Sequence, residues 1–236
     1  LGLAVAELVV AAGGKVALVD VNDQAGVDAV RKLGPAASFH KVDVTVESAV
    51  AAAVVAAITA MGGLNLAVSC AGVGWPKRMV GKEGTMPGDF FRKVIEINLV
   101  GTLLLCKEAA GAMQRNTPNA EGERGARVMT ASVAAFDGQI GQVAYAASKG
   151  GVVGMTLPMA RELASSGIRV VTIAPGLFMT PMLAALPQEA RDSLGQQVPF
   201  PPRLGRPAEY AQLVGQIIQN PMLNGETIRL DGAIRM

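Results

Sequence analysis

Three side chains in the stretch SVAAFDGQIGQVAYAASK have types and spacing suited to chemistry: Ser132, Tyr145 thirteen positions later, and Lys149 four after that. Residues four apart on a helix leave the same face one turn from each other, so the phenol and the ammonium become neighbours. A free phenol titrates near ~10 and is a poor base at neutral pH. An ammonium about 4 Å away, at an effective dielectric of ~20, is worth ~4 kcal/mol and lowers the phenol by roughly 3 units. The expectation is a tyrosine made acidic by its lysine, exchanging a proton with a carbinol or carbonyl oxygen, with the Ser132 hydroxyl as a second hydrogen bond to that oxygen. The pair alone also fits an amphipathic helix with a surface lysine, so its meaning depends on what surrounds it.

Positioning these groups takes a strand that delivers Ser132 and a helix that carries the pair. RVMTAS at 127–132 reads as that strand, with Ser132 at its carboxyl end, where ligands bind in open α/β sheets. Before it the pattern predicts a helix over 1–12 ended by Gly13, strand KVALVD at 15–20, a helix over 23–33, strand ASFHKVDV at 37–44, a helix over 46–61 and strand LNLAVSCAG at 64–72. A long helix over 91–113, interrupted near Asn98, follows a Gly/Pro-punctuated loop. After the Tyr145 helix come strand IRVVTIAPG at 168–176, a proline- and leucine-rich lid over about 177–207, a helix over 207–220 and an edge strand over 226–232. Strands alternating with helices predict an α/β fold, one doubly wound parallel sheet with helices on both faces, in a single domain of 236 residues.

Composition excludes several classes. The net charge of +2 is small and evenly spread, which argues against nucleic acid as the main partner. No apolar run reaches the ~20 residues needed to span a bilayer. Cys70 and Cys106 lack metal-ligand spacing and fit free thiols in a reducing, cytoplasmic setting, so no metal is expected. His40, the only histidine, lies away from any nucleophile.

With Asn98, the trio Ser132, Tyr145 and Lys149 resembles the catalytic set of the short-chain dehydrogenases/reductases. The resemblance covers almost the whole chain and is densest in TASVAAFDGQIGQVAYAASKGGVVGMTLPMARELASSGIRVVTIAPGLF and LNGETIRLDGAIRM, which are similar to the branch acting on 3-hydroxyacyl-CoA esters. It implies a Rossmann-type sheet and a nicotinamide dinucleotide. The family's glycine-rich turn would end at Leu1-Gly2, so a preceding strand and most of that turn are expected upstream. Asp43 and Val44 are implied at the adenine, and Cys70, Ala71 and Gly72 stand where the family has its Asn-Ala-Gly turn; Ser69 replaces that motif's first asparagine. Pro175, Gly176, Phe178 and Thr180 are implied around the nicotinamide, with Lys149 and Tyr145 at its ribose. Asn98 is implied to kink its helix and hold a water on the proton path, and Gln139 to face the substrate.

Asp20, ending the second strand of such a fold, can accept both adenosine ribose hydroxyls and repel a 2′-phosphate. No Arg or Lys lies between Lys15 and Arg31, so NAD is expected over NADP. Lys77, Arg78 and Lys82 in the loop near Trp75 suit either the phosphates of coenzyme A or solvent. Gly150, Gly151 and Gly154 suggest another backbone close by, and the resemblance implies a homotetramer. The expected activity is interconversion of a secondary alcohol and a ketone, most specifically 3-hydroxyacyl-CoA and 3-ketoacyl-CoA in fatty-acid or branched-chain breakdown. Hydroxysteroid or other alcohol oxidation, acetoacetyl-CoA reduction and a non-catalytic dinucleotide-binding scaffold are the alternatives.

Overall fold

The computed structural model describes residues 1–82, 84–184 and 187–236. Helix α1 (Gly2–Ala11) leads into β1 (Val16–Asp20). Asn22 then caps α2 (Asp23–Leu33) by accepting the Ala25 N–H at 3.1 Å, which satisfies one of the four unpaired donors of a helix start. β2 (Ala37–Lys41), α3 (Glu47–Met61) and β3 (Leu66–Ser69) follow. The next loop carries a small antiparallel hairpin, β4 (Val80–Gly81) and β5 (Gly84–Thr85). Helix α4 (Gly88–Ile95) passes through a wider π turn at Glu96–Val100 into α5 (Gly101–Met113). The remaining elements are β6 (Gly125–Thr130), α6 (Ala134–Asp137), α7 (Val143–Leu163), β7 (Ile168–Pro175), α8 (Pro181–Ala184), α9 (Gln188–Gln196), α10 (Pro207–Gln219) and β8 (Thr227–Leu230).

Every strand outside the hairpin pairs in parallel, β1 with β2 and then β3-β6-β7-β8 in that order. Strand alternation divides the core into two faces, as a sheet covered on both sides requires. On β7, Val171 and Ile173 join Val5 of α1 and Tyr210, Val214 and Ile217 of α10. Their neighbours Val170 and Ala174 turn the other way and join Cys106 of α5 and Val152 and Ala160 of α7. The strand expected at 168–176 therefore serves two layers of helices, and the α/β architecture is as expected, its parallel strands falling into a two-stranded and a four-stranded sheet. No helix among the described residues is long and apolar enough to cross a membrane.

Boundaries differ from the sequence reading in ways that matter for the site. The third predicted strand stops at Lys41, although the Val42 N–H still donates to the Asp20 carbonyl at 3.0 Å. β6 ends at Thr130, two residues before Ser132, yet pairing with β7 continues through Ala131 N–H to Ile173 O at 2.8 Å and Val133 N–H to Pro175 O at 3.0 Å. The interruption expected near Asn98 in helix 91–113 takes the form of one longer inserted turn, a device common at functional sites. In the predicted lid, Ala185 and Leu186 lie outside the described residues, while Gly205 bridges back to Phe178.

One residue runs against the pattern. Arg127, in the middle of β6, is 1% exposed, and its Nη2 donates to Ser69 Oγ and Cys106 Sγ at 2.9 Å each. Its Nε and Nη1 are buried without a partner among the described residues. Replacing a buried, incompletely bonded charge by an apolar side chain of similar length is commonly stabilising. Arg127→Met is therefore expected to raise the urea unfolding midpoint, by about 1–4 kcal/mol in stability; a lowered midpoint would show that the guanidinium is satisfied.

Candidate active site

β6 and α7 between them hold the acid-base groups. Ser132 lies just past the carboxyl end of β6, where its Oγ accepts the Ala134 N–H at 3.1 Å. That contact uses an oxygen lone pair and leaves the hydroxyl hydrogen to donate elsewhere. Tyr145 and Lys149 occupy the first two turns of α7 as predicted, with Lys149 Nζ 5.9 Å from the centre of the tyrosine ring. Lys149 is 4% exposed, and its ammonium donates to the Thr130 carbonyl at 2.7 Å.

Asn98 enters from the π turn, fully buried. Its Nδ2 donates to Val73 O at 2.9 Å and to Ser148 Oγ at 3.0 Å, and its Oδ1 accepts the Val73 N–H at 2.7 Å. Ser148 in turn donates to the Tyr145 carbonyl at 2.7 Å. A Cβ on Gly72 would lie 3.0 Å from Asn98 Oδ1 and 3.5 Å from Lys149 Nζ, so only a residue without a side chain lets these groups converge. Asn98, Ser132, Tyr145 and Lys149 thus form one cluster.

The proton energetics are a correction. Burial raises the Tyr145 phenol above its ordinary value, partly offset by the hydrogen bond from Ser132. The expected lowering by lysine is not present, because the ammonium is directed at the Thr130 carbonyl and burial disfavours both charged forms. Lys149 is itself lowered to about 8, by burial first, with the Cys70 thiol acting in the opposite direction.

The remaining predicted residues follow the parallel strands of two sheets, β1-β2 and β3-β6-β7-β8. Asp20 is exposed at the end of β1, with Oδ1 accepting the Asn22 N–H at 2.9 Å. Asp43, after β2, accepts the Thr45 N–H and hydroxyl at 2.9 and 2.7 Å, and these bonds lower its pKa. With Val44 beside it, Asp43 borders a cleft of about 310 Å³ lined also by Thr45, Arg92, Lys93, Glu96 and Ile97. Cys70, Ala71 and Gly72 follow β3, and a Cβ on Gly2 would stand 3.4 Å from Cys70 Cβ, which sets the Leu1-Gly2 end of α1 against that turn. Pro175 and Gly176 close β7, Gly176 against Asp231. Phe178 is buried against Gly205, and Thr180 Oγ1 accepts the Leu183 N–H at 3.5 Å. Gln139 is exposed and is not drawn into the cluster.

These residues fit a nicotinamide dinucleotide. Asp20 is an exposed carboxylate able to accept a ribose diol, Gly72 leaves room for a close approach, and Lys149 is a three-donor ammonium with one recorded acceptor. Three contributors were not legible beforehand. Thr130 acts through its carbonyl, which carries no sequence signal. Fully buried Tyr210 of α10 meets Thr130 Oγ1 at 2.7 Å, and in sequence it reads as core. Ser148 sits three residues after Tyr145, on the face that the lysine also uses, and that spacing was the one available hint.

Comparison with known proteins places the chain among its relatives. The sequence profile of the family described as short chain dehydrogenase matches residues 1–191. The chain is 51% identical over 238 residues to the 3-hydroxyacyl-CoA dehydrogenase type-2 of Bos taurus, covering 100% of this chain and 91% of that protein. The crystal structure of 3-hydroxyacyl-CoA dehydrogenase type-2 from Mycobacterium avium superposes with a TM-score of 0.92 at 40% identity, covering 100% of this chain and 91% of that one. A 7α-hydroxysteroid dehydrogenase, solved with NADH and 7-oxo glycochenodeoxycholic acid, gives 0.86 at 27% identity, covering 100% and 90%.

Because the folded pKa of Lys149 lies below the ordinary 10.5, protonation favours the unfolded chain, so the cost is complete below pH 8 and is relieved as pH rises from about 8 to 10.5. Lys149→Met is expected to stabilise the ligand-free protein at pH 7 by up to about 3 kcal/mol, to flatten that rise, and to abolish turnover. Urea unfolding across this pH range checks the first two effects, and a destabilised variant would contradict them.

Proposed function

The chain belongs to the short-chain dehydrogenase family, and from that premise we propose that it interconverts the 3-hydroxyl and 3-keto forms of a short or medium 3-hydroxyacyl-CoA, with NAD as its dinucleotide. The observation that carries the reading is the convergence of Ser132, Tyr145 and Lys149 at the carboxyl end of β6, with Asp20 exposed at the end of β1. A scaffold that only binds a dinucleotide has no use for this acid-base set. The 51% identity to proteins acting on 3-hydroxyacyl-CoA supports the substrate class.

When bound, the nicotinamide supplies the acceptor or donor of hydride at the carbinol carbon. Asp20 holds the adenosine ribose by its two hydroxyls and repels a 2′-phosphate. Asp43 and Val44 flank the adenine beside the cleft below α4. Pro175, Gly176, Phe178 and Thr180 set the nicotinamide end. Lys149 holds the adjoining ribose, with Asn98 fixing the Val73 backbone across from it.

At the reacting oxygen, Ser132 donates the hydroxyl hydrogen that it otherwise directs at Tyr145, and Tyr145 exchanges the proton. A phenol raised by burial is neutral at pH 7 and is ready to protonate a ketone oxygen in the reductive direction. In the oxidative direction Tyr145 must reach the phenolate, and the positive charge of Lys149 favours that state once the ammonium moves nearer than its present 5.9 Å from the ring. Oxidation of steroid or other alcohols is the second reading, favoured by the 0.86 superposition on a hydroxysteroid dehydrogenase. Space left open at Gly150 and Gly154 on α7 supports packing against a second copy, in keeping with a homotetramer, and the two free thiols suit the cytoplasm.

Tyr145→Phe is expected to lower kcat at least about 10³-fold while changing NAD affinity less than about threefold, since it removes the proton carrier and leaves the dinucleotide contacts. Calorimetric titration beside a rate assay separates the two, and a large loss of binding would contradict the role. Asp20→Ala is expected to narrow the preference for NADH over NADPH by about tenfold or more, read as kcat/KM with acetoacetyl-CoA; a parent enzyme that prefers NADPH would overturn the assignment.

A further inference from the structure

Between β3 and the hairpin the chain runs Gly72-Val73-Gly74-Trp75-Pro76-Lys77, and its path is fixed at three points. The Val73 peptide is gripped on both sides by the Asn98 amide, at 2.7 and 2.9 Å. A Cβ on Gly74 would stand 4.0 Å from Tyr145 Cε2, so the backbone passes along the edge of the catalytic ring. The Lys77 N–H donates to the Gly141 carbonyl at 2.8 Å, tying the loop to the connection between Ser132 and Tyr145. Trp75 therefore projects from a firmly held backbone one residue away from the group that exchanges the proton.

Its indole does not enter the core. Trp75 is 38% exposed and packs at 46° against Phe90, ring centres 6.4 Å apart, and neither ring belongs to the four core clusters. An ammonium stands over each ring: Lys93 5.7 Å from Trp75 and Lys77 5.7 Å from Phe90. Contacts of this kind are enough to bias where the lysines stand. They do not explain a large apolar side chain left partly in water next to the Gly74–Tyr145 contact, where a covering ligand would remove apolar surface from water. Arg78 and Lys82 are exposed nearby, and no carboxylate forms an ion pair with Lys77, Arg78, Lys82 or Lys93 among the described residues. Lys93 also acts on Asp43 across the neighbouring cleft, whereas Lys77 stands over Phe90 beside the exposed Arg78 and Lys82; apolar faces rimmed by cations match a ligand that is apolar along its length and anionic at its end.

Resting on the acyl-CoA reading of the site, we propose that Trp75 and Phe90, with Lys77 and Lys93 at their faces, form a shelf that receives the carrier arm of the thioester. The methylene-rich pantetheine lies along the rings and its phosphates reach the ammonium groups. Trp75 is then a specificity residue, which makes the enzyme prefer a ketone carried on coenzyme A to the same ketone on a short neutral thiol.

Trp75 is the only tryptophan in the sequence, so the emission of the intact protein reports on this shelf alone. Titration with coenzyme A is expected to change that emission saturably, with pantetheine requiring at least tenfold higher concentration. In Trp75→Ala the ratio of kcat/KM for acetoacetyl-CoA to that for acetoacetyl-N-acetylcysteamine is expected to fall at least fivefold, mainly through KM, and Trp75→Phe is expected to restore most of it. Emission indifferent to coenzyme A, or an unchanged ratio in Trp75→Ala, overturns the shelf while leaving the parent reading in place. A parent enzyme that does not turn over acetoacetyl-CoA removes both, and that result is seen before any variant is made.

Discussion

Burying an ammonium beneath a parallel sheet costs several kcal/mol unless polar groups surround it, and the end of β6 is arranged around that requirement. Lys149 reaches it from α7 and donates to the carbonyl of Thr130, which also anchors α10 through its hydroxyl on Tyr210. The same short segment ends in Ser132. One buried charge thus couples the strand that delivers the serine, the helix that carries the tyrosine and a helix on the opposite face of the sheet. Gly72 and Asn98 fill the remaining side, the glycine by having no side chain and the asparagine by bonding the Val73 peptide on both edges.

Burial leaves the pair in a defined protonation state. It raises Tyr145 and lowers Lys149 to about 8, so two groups whose ordinary values nearly coincide are driven apart. Burial disfavours ionisation of both groups, and only a direct contact between ammonium and phenol oxygen would reverse that for the tyrosine. The lysine instead bonds to a backbone carbonyl, which positions it at the cost of weaker control over its neighbour.

Much of the fold was readable because its elements are long and strongly patterned. β7 is mostly apolar because both of its faces are covered, and the residue set of α7 is recognisable because four-residue spacing fixes a common helical face. Element ends were less legible. β6 stops short of Ser132 although its ladder continues, and the interruption expected near Asn98 turns out to be a π turn. Both depend on hydrogen bonds to residues distant in sequence. Arg127 is a further case: nothing in RVMTAS indicates that its first residue would be sealed against Ser69 and Cys106.

Sequence by itself determined the identities and order of the chemical groups: a serine at a strand end, a tyrosine and lysine one helical turn apart, an acidic residue closing β1. Those relations are local, set by helical and strand periodicity within a few residues. Tertiary structure alone decided what the groups are bonded to and how they titrate, because Thr130, Asn98, Gly72 and Tyr210 approach Lys149 only after distant segments pack. Desolvation follows from that packing, so a phenol that spacing alone would have made acidic is instead held neutral.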